Sequence, residues 1–443
     1  MKPPLCFLIT LFLSGGQLAA GAQNAPQTPT APQKPNSQRR VREPETGPAK
    51  NFLEIRRRTR LWRGKLPFRN VGANIPDLFE QFLYGKDAKA IRALNDAQAA
   101  GIRFVRCWGT TWGPDNFGLF TTDRARWMGA FDRMLAAADN ARITVVPSLL
   151  FNINMLPEYV RRTTGKDEQV GDLLTPGSAS NTLAVNYVTA MVARYKDDPR
   201  VLFWEIGNEY NLEADLSAQW KKRPANQIPT SDQIRAFLIQ IATLIKRIDK
   251  KHLVTSGNAD MRPYAWHIRQ AMLAHRTAPD PNDYPMDWTQ DSFPQYVEML
   301  RFFNPPPLDL LSVHLYPTSQ ADTPHWLYKN DTVAATLPWV RTVSDLIGMP
   351  LFVGEFGQEV MADGKEAAML WSTDFLRRMA MGAAPIAAVW AWEFDQFEPP
   401  TPSPHSLSPE RTPDFVRALG AANQTILETI LNPDVQRQER SDR

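Results

Sequence analysis

From Leu66 onward, short apolar runs rich in β-branched and aromatic residues alternate with longer stretches whose apolar positions recur every three or four residues. The first pattern is that of buried strands and the second that of amphipathic helices, so the alternation predicts repeated βα units around a parallel sheet. Eight apolar runs can be counted: Phe68 to Asn74, Phe104 to Trp108, Thr144 to Leu150, Leu202 to Ile206, Leu253 to Ser256, Leu310 to His314, Leu351 to Gly354 and Ile386 to Trp392. Helical periodicity follows around Ala88 to Ala100, Arg124 to Asp139, Thr182 to Tyr195, Ser231 to Asp249, Pro294 to Phe303, Thr332 to Ile347, Lys365 to Met381 and Pro413 to Leu427. Eight alternations predict a single (β/α)8 TIM barrel, with an open doubly wound sheet as the alternative. In a barrel the long segments after the third, fourth, fifth, sixth and eighth runs gather on the face formed by the strands' carboxyl ends.

The ends of the chain break this pattern. Lys2, the apolar stretch Leu5 to Leu13 and the small residues Ala20-Gly21-Ala22 read as a cleavable export signal over residues 1–22, too short in its apolar part to span a bilayer. Residues 23–50 are rich in Pro, Gln and Thr and read as a disordered linker, residues 51–430 as the barrel, and residues 431–443 as a charged tail. The run Arg56-Arg57-Arg58-Thr59-Arg60 reads as a solvated segment before the barrel. Cleavage would leave Cys107 as the only cysteine and thus no internal disulfide. No later stretch suits a membrane helix, so a secreted or periplasmic protein is expected, with no membrane contact in its mature form.

A formal net charge of +3 gives no reason to expect nucleic acid. The six histidines show no paired helical spacing and no Walker-type glycine loop is present, so neither a metal nor another cofactor is expected. Thirteen tryptophans are the stronger compositional signal. Trp108, Trp112, Trp220, Trp266, Trp288 and Trp326 fall at or beyond strand ends, where a flat apolar face suits a sugar ring as well as it suits loop packing.

Two carboxylates stand where buried strands end. The fourth run leads through Glu205-Ile206-Gly207 into Asn208-Glu209, and the seventh leads through Gly354 into Glu355. A carboxylate at such a place is costly without a partner or a purpose. Two glutamates facing one cleft can hydrolyse a glycoside, one donating a proton to the leaving oxygen and the other attacking the anomeric carbon. Glu205 lies deeper and reads as the buried partner of an arginine; Glu359 and Glu393 are competitors of Glu355 suited at most to the rim.

With these motifs the chain resembles clan GH-A of the glycoside hydrolases, closest to family 5, from about Phe68 to about Trp392. The resemblance implies Glu209 as acid/base and Glu355 as nucleophile of a retaining double displacement. It further implies Arg106, in Arg106-Cys107-Trp108-Gly109, holding Glu355 ionised, Asn208 binding the hydroxyl beside the anomeric carbon, Tyr316 bonding to the nucleophile and His314 orienting the acids. Trp392, or alternatively Trp390, is implied as the aromatic platform under the sugar, with Trp108 nearby. The expected partner is a β-linked polysaccharide. Arg106-x-Trp108-Gly109 and His314-x-Tyr316-Pro317 are similar to the β-mannanase branch, and Leu150-Phe151-Asn152 lacks the histidine of many cellulases. Tyr210 departs from the proline usual after Asn-Glu. An endo-β-1,4-glucanase and a barrel that binds polysaccharide without cutting it remain the alternatives.

Overall fold

The computed structural model describes residues 50–275, 284–317, 336–357, 365–394, 406–432 and 434. The expected signal segment, Trp326 and Glu359, and nearly all of the expected linker and tail, lie outside the described residues. Among the described residues no helix is long and apolar enough to cross a membrane.

Eleven strands are present among the described residues. β1 (Leu53–Arg56), β2 (Arg60–Arg63) and β3 (Leu66–Pro67) form a small antiparallel sheet. β4 (Asn70–Asn74), β5 (Phe104–Trp108), β6 (Thr144–Leu150), β7 (Trp204–Gly207), β8 (Val254–Thr255), β9 (Leu311–Leu315), β10 (Leu351–Phe356) and β11 (Ile386–Val389) pair in parallel in the order β8-β7-β6-β5-β4-β11-β10-β9. A parallel bridge from Thr255 to Leu310 joins the two ends, so the sheet closes into the expected eight-stranded barrel. The eight predicted helices are present at nearly the predicted bounds. The helix Ser231–Ile248, for example, starts with a reciprocal cap: Thr230 Oγ1 accepts from Gln233 N, and Gln233 Oε1 accepts from Thr230 N.

Alternation along the strands sorts the side chains into two cores. Val71, Ala73, Val105, Cys107, Val145, Trp204, Ile206, Leu311, Val313 and Ala387 point outward into the layer between barrel and helices. Phe104, Val146, Phe203, Phe352, Ile386 and Ala388 point inward and fill the lower part of the barrel. Above them the inward positions turn polar: Asn74, Arg106, Ser148, Glu205, Thr255, Ser312, His314 and Glu355 are all buried. Burying so many polar groups at one level is tolerable only if they satisfy one another, which marks the level as a site.

The segment before the barrel differs from expectation. The arginine run, with Arg58 and Arg60 exposed as expected of a solvated segment, is the turn of a paired β1–β2 hairpin rather than open chain, and Leu53 and Leu61 pack against the inward apolar layer of the barrel. Arg63 donates to the carbonyl of Pro199, Thr59 donates to Asp345, and the guanidinium of Arg58 lies where a Cβ on Gly348 would stand. The alternating Leu53, Ile55 and Leu61 carry the strand signal, and the intervening charges hid it. The hairpin thereby closes the amino end of the barrel.

Candidate active site

Glu355 reaches the barrel interior through a slip in register. Val353 pairs with Val313 and Glu355 with His314, so Gly354 is an extra residue in β10. Phe352 points inward, while Phe356 points outward and stacks on Phe375 at 4.0 Å, although four residues in a regular strand would share a side. The bulge is what turns Glu355 into the cleft. Glycine is required there, because a Cβ at 354 would lie 2.7 Å from His314 Nε2.

Arg106, fully buried on β5, is the hub beneath the cleft. Its Nε donates to both oxygens of Glu205 at 2.8 and 2.9 Å. Its Nη1 donates to Glu355 Oε1 at 2.8 Å and to Asn74 Oδ1 at 2.9 Å, and its Nη2 donates to Asn208 Oδ1 at 2.6 Å. Burial opposes the guanidinium charge, but the two carboxylates outweigh it and raise its pKa further. Glu355 is therefore met by two donors, Arg106 at one oxygen and the Tyr316 hydroxyl, 2.8 Å away, at the other. Asn74 completes the shell by donating from Nδ2 to Gly354 O at 3.0 Å.

Glu209 lies in a different setting. Its side chain is 32% exposed at the cleft floor, and the surrounding protein pushes its carboxyl pKa up to about 7 despite the charges of Arg106 and Arg262. The backbone there is left-handed, with φ of 55°, and is held by Glu209 N donating to Gly257 O at 2.9 Å. His314 Nδ1 lies 2.9 Å from Glu209 Oε1 and 3.6 Å from Glu355 Oε2, bridging the two acids. Burial, with Arg106 nearby, lowers the imidazole pKa to about 4 even though Glu355 acts the other way. Its Nε2 is buried without a hydrogen-bond partner, so a proton there would be an unmet donor; we assign the neutral ring with hydrogen on Nδ1.

One oxygen from each of Glu209 and Glu355, with His314, falls within 4.8 Å of the others. A cation could bridge such a set. Glu209 Oε1 and both oxygens of Glu355 already have donors, however, and the Arg106 guanidinium supplies the compensating charge, so the cluster reads as a hydrogen-bonded acid pair.

The structure brings Arg106, Asn208, Glu209, His314, Tyr316 and Glu355 together, and Glu205 is the buried arginine partner expected of it. Trp392 is a correction. The strand ends at Val389 rather than at 392, and Trp392 turns outward, fully buried, its indole N–H donating to Ala93 O at 3.2 Å in the helix Asp87–Ala99. A side chain enclosed in the outer core presents no face to a sugar. Trp390, the alternative, is half-buried beside the chain that follows Glu355: its backbone N donates to Phe356 O, and its ring packs with Phe394 and the cluster of Trp108 and Phe151. Trp392→Phe is accordingly expected to cost about 1–2 kcal/mol of stability through lost volume and a lost hydrogen bond. Its KM should stay at the wild-type value, whereas Trp390→Ala should raise KM; denaturant melts and steady-state kinetics separate the two.

Among the loop tryptophans, Trp220 and Trp288 pack with Tyr264 in a small cluster of their own, and Trp266 packs against the outer core. Glu393 is half-buried near Asp96, which together with burial pushes its pKa up to about 7; its neighbours Asp96, Arg92 and Lys89 belong to the helix Asp87–Ala99, away from the acid pair. The sequence reading missed Asn74, which ends the first apolar run at the depth of Arg106. It also missed Arg262, whose charge acts on Glu209 and whose guanidinium donates to Leu212 O.

A family model described as cellulase (glycosyl hydrolase family 5) matches residues 70–396. Mannan endo-1,4-beta-mannosidase 8 of Oryza sativa subsp. japonica is 25% identical over 332 residues, covering 69% of this chain and 80% of the rice protein. Mannan endo-1,4-beta-mannosidase 7 of the same plant is 26% identical over 336 residues, covering 70% and 78%. Among solved structures, the endo-1,4-beta-mannanase from Rhizomucor miehei has a TM-score of 0.57 at 16% identity, covering 85% of this chain and 99% of that one. The endo-beta-1,4-mannanase from Thermotoga petrophila has a TM-score of 0.54 at 16% identity, covering 81% and 77%. The structural likenesses speak for the barrel.

Proposed function

Because the chain belongs to glycosyl hydrolase family 5 and so acts on O-glycosyl bonds, we propose that it cleaves a β-linked polysaccharide, a β-1,4-mannan first, with retention of configuration. The observation that carries the reading is the pair of carboxylates: oxygens of Glu209 and Glu355 approach within 4.8 Å, in opposite environments. Retaining enzymes hold their acids about 5–5.5 Å apart, whereas inverting ones leave room for a water between them.

The chemistry follows from the contacts. Glu355, held by Arg106 and Tyr316, attacks the anomeric carbon as the glycosidic bond breaks. Glu209 enters this step protonated. His314 donates to its Oε1, so the acidic hydrogen sits on Oε2, and passes from there to the departing oxygen. In the second step the Glu209 carboxylate takes a proton from water as that water attacks the glycosyl ester on Glu355, and the sugar leaves as the β anomer. Asn208 Oδ1 accepts from Arg106 Nη2, which leaves its amide hydrogens for the neighbouring hydroxyl.

Mannan is favoured by the likeness to the two rice mannan endo-1,4-beta-mannosidases and by Arg106-x-Trp108-Gly109 and His314-x-Tyr316-Pro317. We further propose export by the segment 1–22, with the barrel over residues 51–430. Incubation with β-mannan, β-glucan and xylan, followed by a reducing-end assay, tests the substrate; greatest activity on β-glucan would transfer the reading to the glucanase alternative, and binding without cleavage to a non-catalytic barrel. Proton NMR of the first product should show the β anomer, and an α anomer would overturn retention.

The acid function also sets a pH dependence. Glu209 must carry its proton, so kcat/KM should fall as pH rises through about 7. In Glu209→Gln this alkaline limb should be absent from the residual rate on an aryl glycoside with a good leaving group.

A further inference from the structure

Trp112 is 52% exposed, yet its backbone is fixed on both sides. Its N–H donates to Glu80 Oε1 at 2.9 Å and its carbonyl accepts from Asn152 Nδ2 at 3.0 Å. Glu80 comes from the helix Leu78–Leu83 after β4 and Asn152 from the loop after β6, so two neighbouring βα segments clamp the loop after β5. Thr110 and Thr111 before it are buried, which leaves the indole facing out from an immobilised stretch of chain. A lone exposed tryptophan needs no explanation, but one whose backbone is held from two directions is pre-organised.

Its ring rests on packed aromatic side chains that reach down to the acid pair. The Arg106 guanidinium, which holds Glu355, lies 5.2 Å over the Phe151 ring. Phe151 packs against Trp108 at 5.7 Å, and Trp112 lies 5.1 Å from Trp108 and 6.1 Å from Phe151. Ring contacts thus run from the Arg106 guanidinium through the buried Phe151 and Trp108 to Trp112, whose exposed ring is the face that a ligand can reach. A pyranose offers a flat face of C–H groups that matches such a surface without needing a charge.

We propose that Trp112 is an outer subsite, stacking on a sugar of the polysaccharide at least one ring away from the bond being cleaved, and that Glu80 is a positioning residue that holds this platform through the backbone of Trp112. This rests on the glycan-hydrolase reading above. It makes the enzyme favour long chains, because only they reach from the acid pair to the rim.

The test compares kcat/KM for a hexasaccharide and a trisaccharide of the glycan that the wild type cleaves best. In Trp112→Ala the hexasaccharide-to-trisaccharide ratio should fall about tenfold, carried by KM rather than kcat. Trp112→Phe should recover part of the ratio. Glu80→Leu should lower it in the same direction, whereas Glu80→Gln, whose amide oxygen still accepts from Trp112 N–H, should stay close to wild type. Calorimetric binding of the hexasaccharide to Glu355→Ala, with and without Trp112→Ala, gives a reading free of turnover and should weaken about tenfold. An unchanged ratio and unchanged binding in Trp112→Ala would overturn the subsite, while a wild type that cleaves nothing but loses binding in Trp112→Ala would overturn the hydrolase reading and keep the platform. Failure of the wild type both to cleave and to bind would overturn both.

Discussion

Glu355→Ala is expected to lose about 10⁴-fold or more in turnover, equivalent to about 5 kcal/mol of transition-state stabilisation. The substitution removes the group that attacks the anomeric carbon and leaves Arg106 and Tyr316 pointing at a gap. Azide fits such a gap and is itself a nucleophile. With an aryl β-glycoside bearing a good leaving group, azide should restore turnover in Glu355→Ala by direct displacement, giving the α-glycosyl azide. In Glu209→Ala the nucleophile survives and the glycosyl ester still forms, so azide attacks that ester from the opposite side and gives the β-glycosyl azide. Product NMR reads the configurations directly. The same azide anomer from both variants would sink the assignment of roles, and an azide-independent, near-normal rate in Glu355→Ala would remove Glu355 from the chemistry altogether.

Replacing Arg106 with methionine should destabilise the fold by about 3–5 kcal/mol, because it strips a buried cation from two buried carboxylates. Glu205 and Glu355 are then left facing one another, and Asn74 and Asn208 lose their donor as well. Lysine is a poor substitute, since a single ammonium cannot address the acceptors of four side chains spread around a planar fork. The double change Arg106→Met with Glu205→Leu tells a structural cost from a catalytic one. Removing both buried charges should return much of the stability in urea titrations while leaving turnover low, because Glu355 still lacks its clamp. Recovery of activity along with stability would show that Arg106 matters only for folding.

The barrel was legible because buried parallel strands announce themselves as continuous apolar runs, and β5 and β6 fall at their predicted bounds. Most of the cleft was legible for a related reason: a polar residue ending such a run has little else to do. What escaped depended on departures from regular geometry. The sequence offers Gly354 before Glu355, but nothing in it says that the glycine is a bulge that reverses the alternation. Trp392 was misplaced by the converse error, in which regular strand alternation was carried three residues past Val389, where β11 ends. The plug of Leu53 and Leu61 went unseen because arginines interrupt its alternation, and Asn74 because an asparagine among Gly72 and Ala73 carries no strong signal of its own. Trp112 stands apart: its exposure and its clamp are relations between one helix and two loops of successive βα segments, and no local pattern encodes them.

The left-handed backbone at Glu209 has a further reach. A residue with a Cβ pays about 1–2 kcal/mol to sit there, and this one also carries a carboxyl that its surroundings prefer to keep protonated. The fold thus carries backbone and electrostatic cost at a residue the reaction depends on. A population of variants selected only for survival on heating, with no demand for sugar release, would drift away from glutamate at 209 sooner than from Arg106 or Asn74 around it. Heat tolerance and turnover pull this one position in opposite directions, so screens for robust variants of this protein have to score both in the same round.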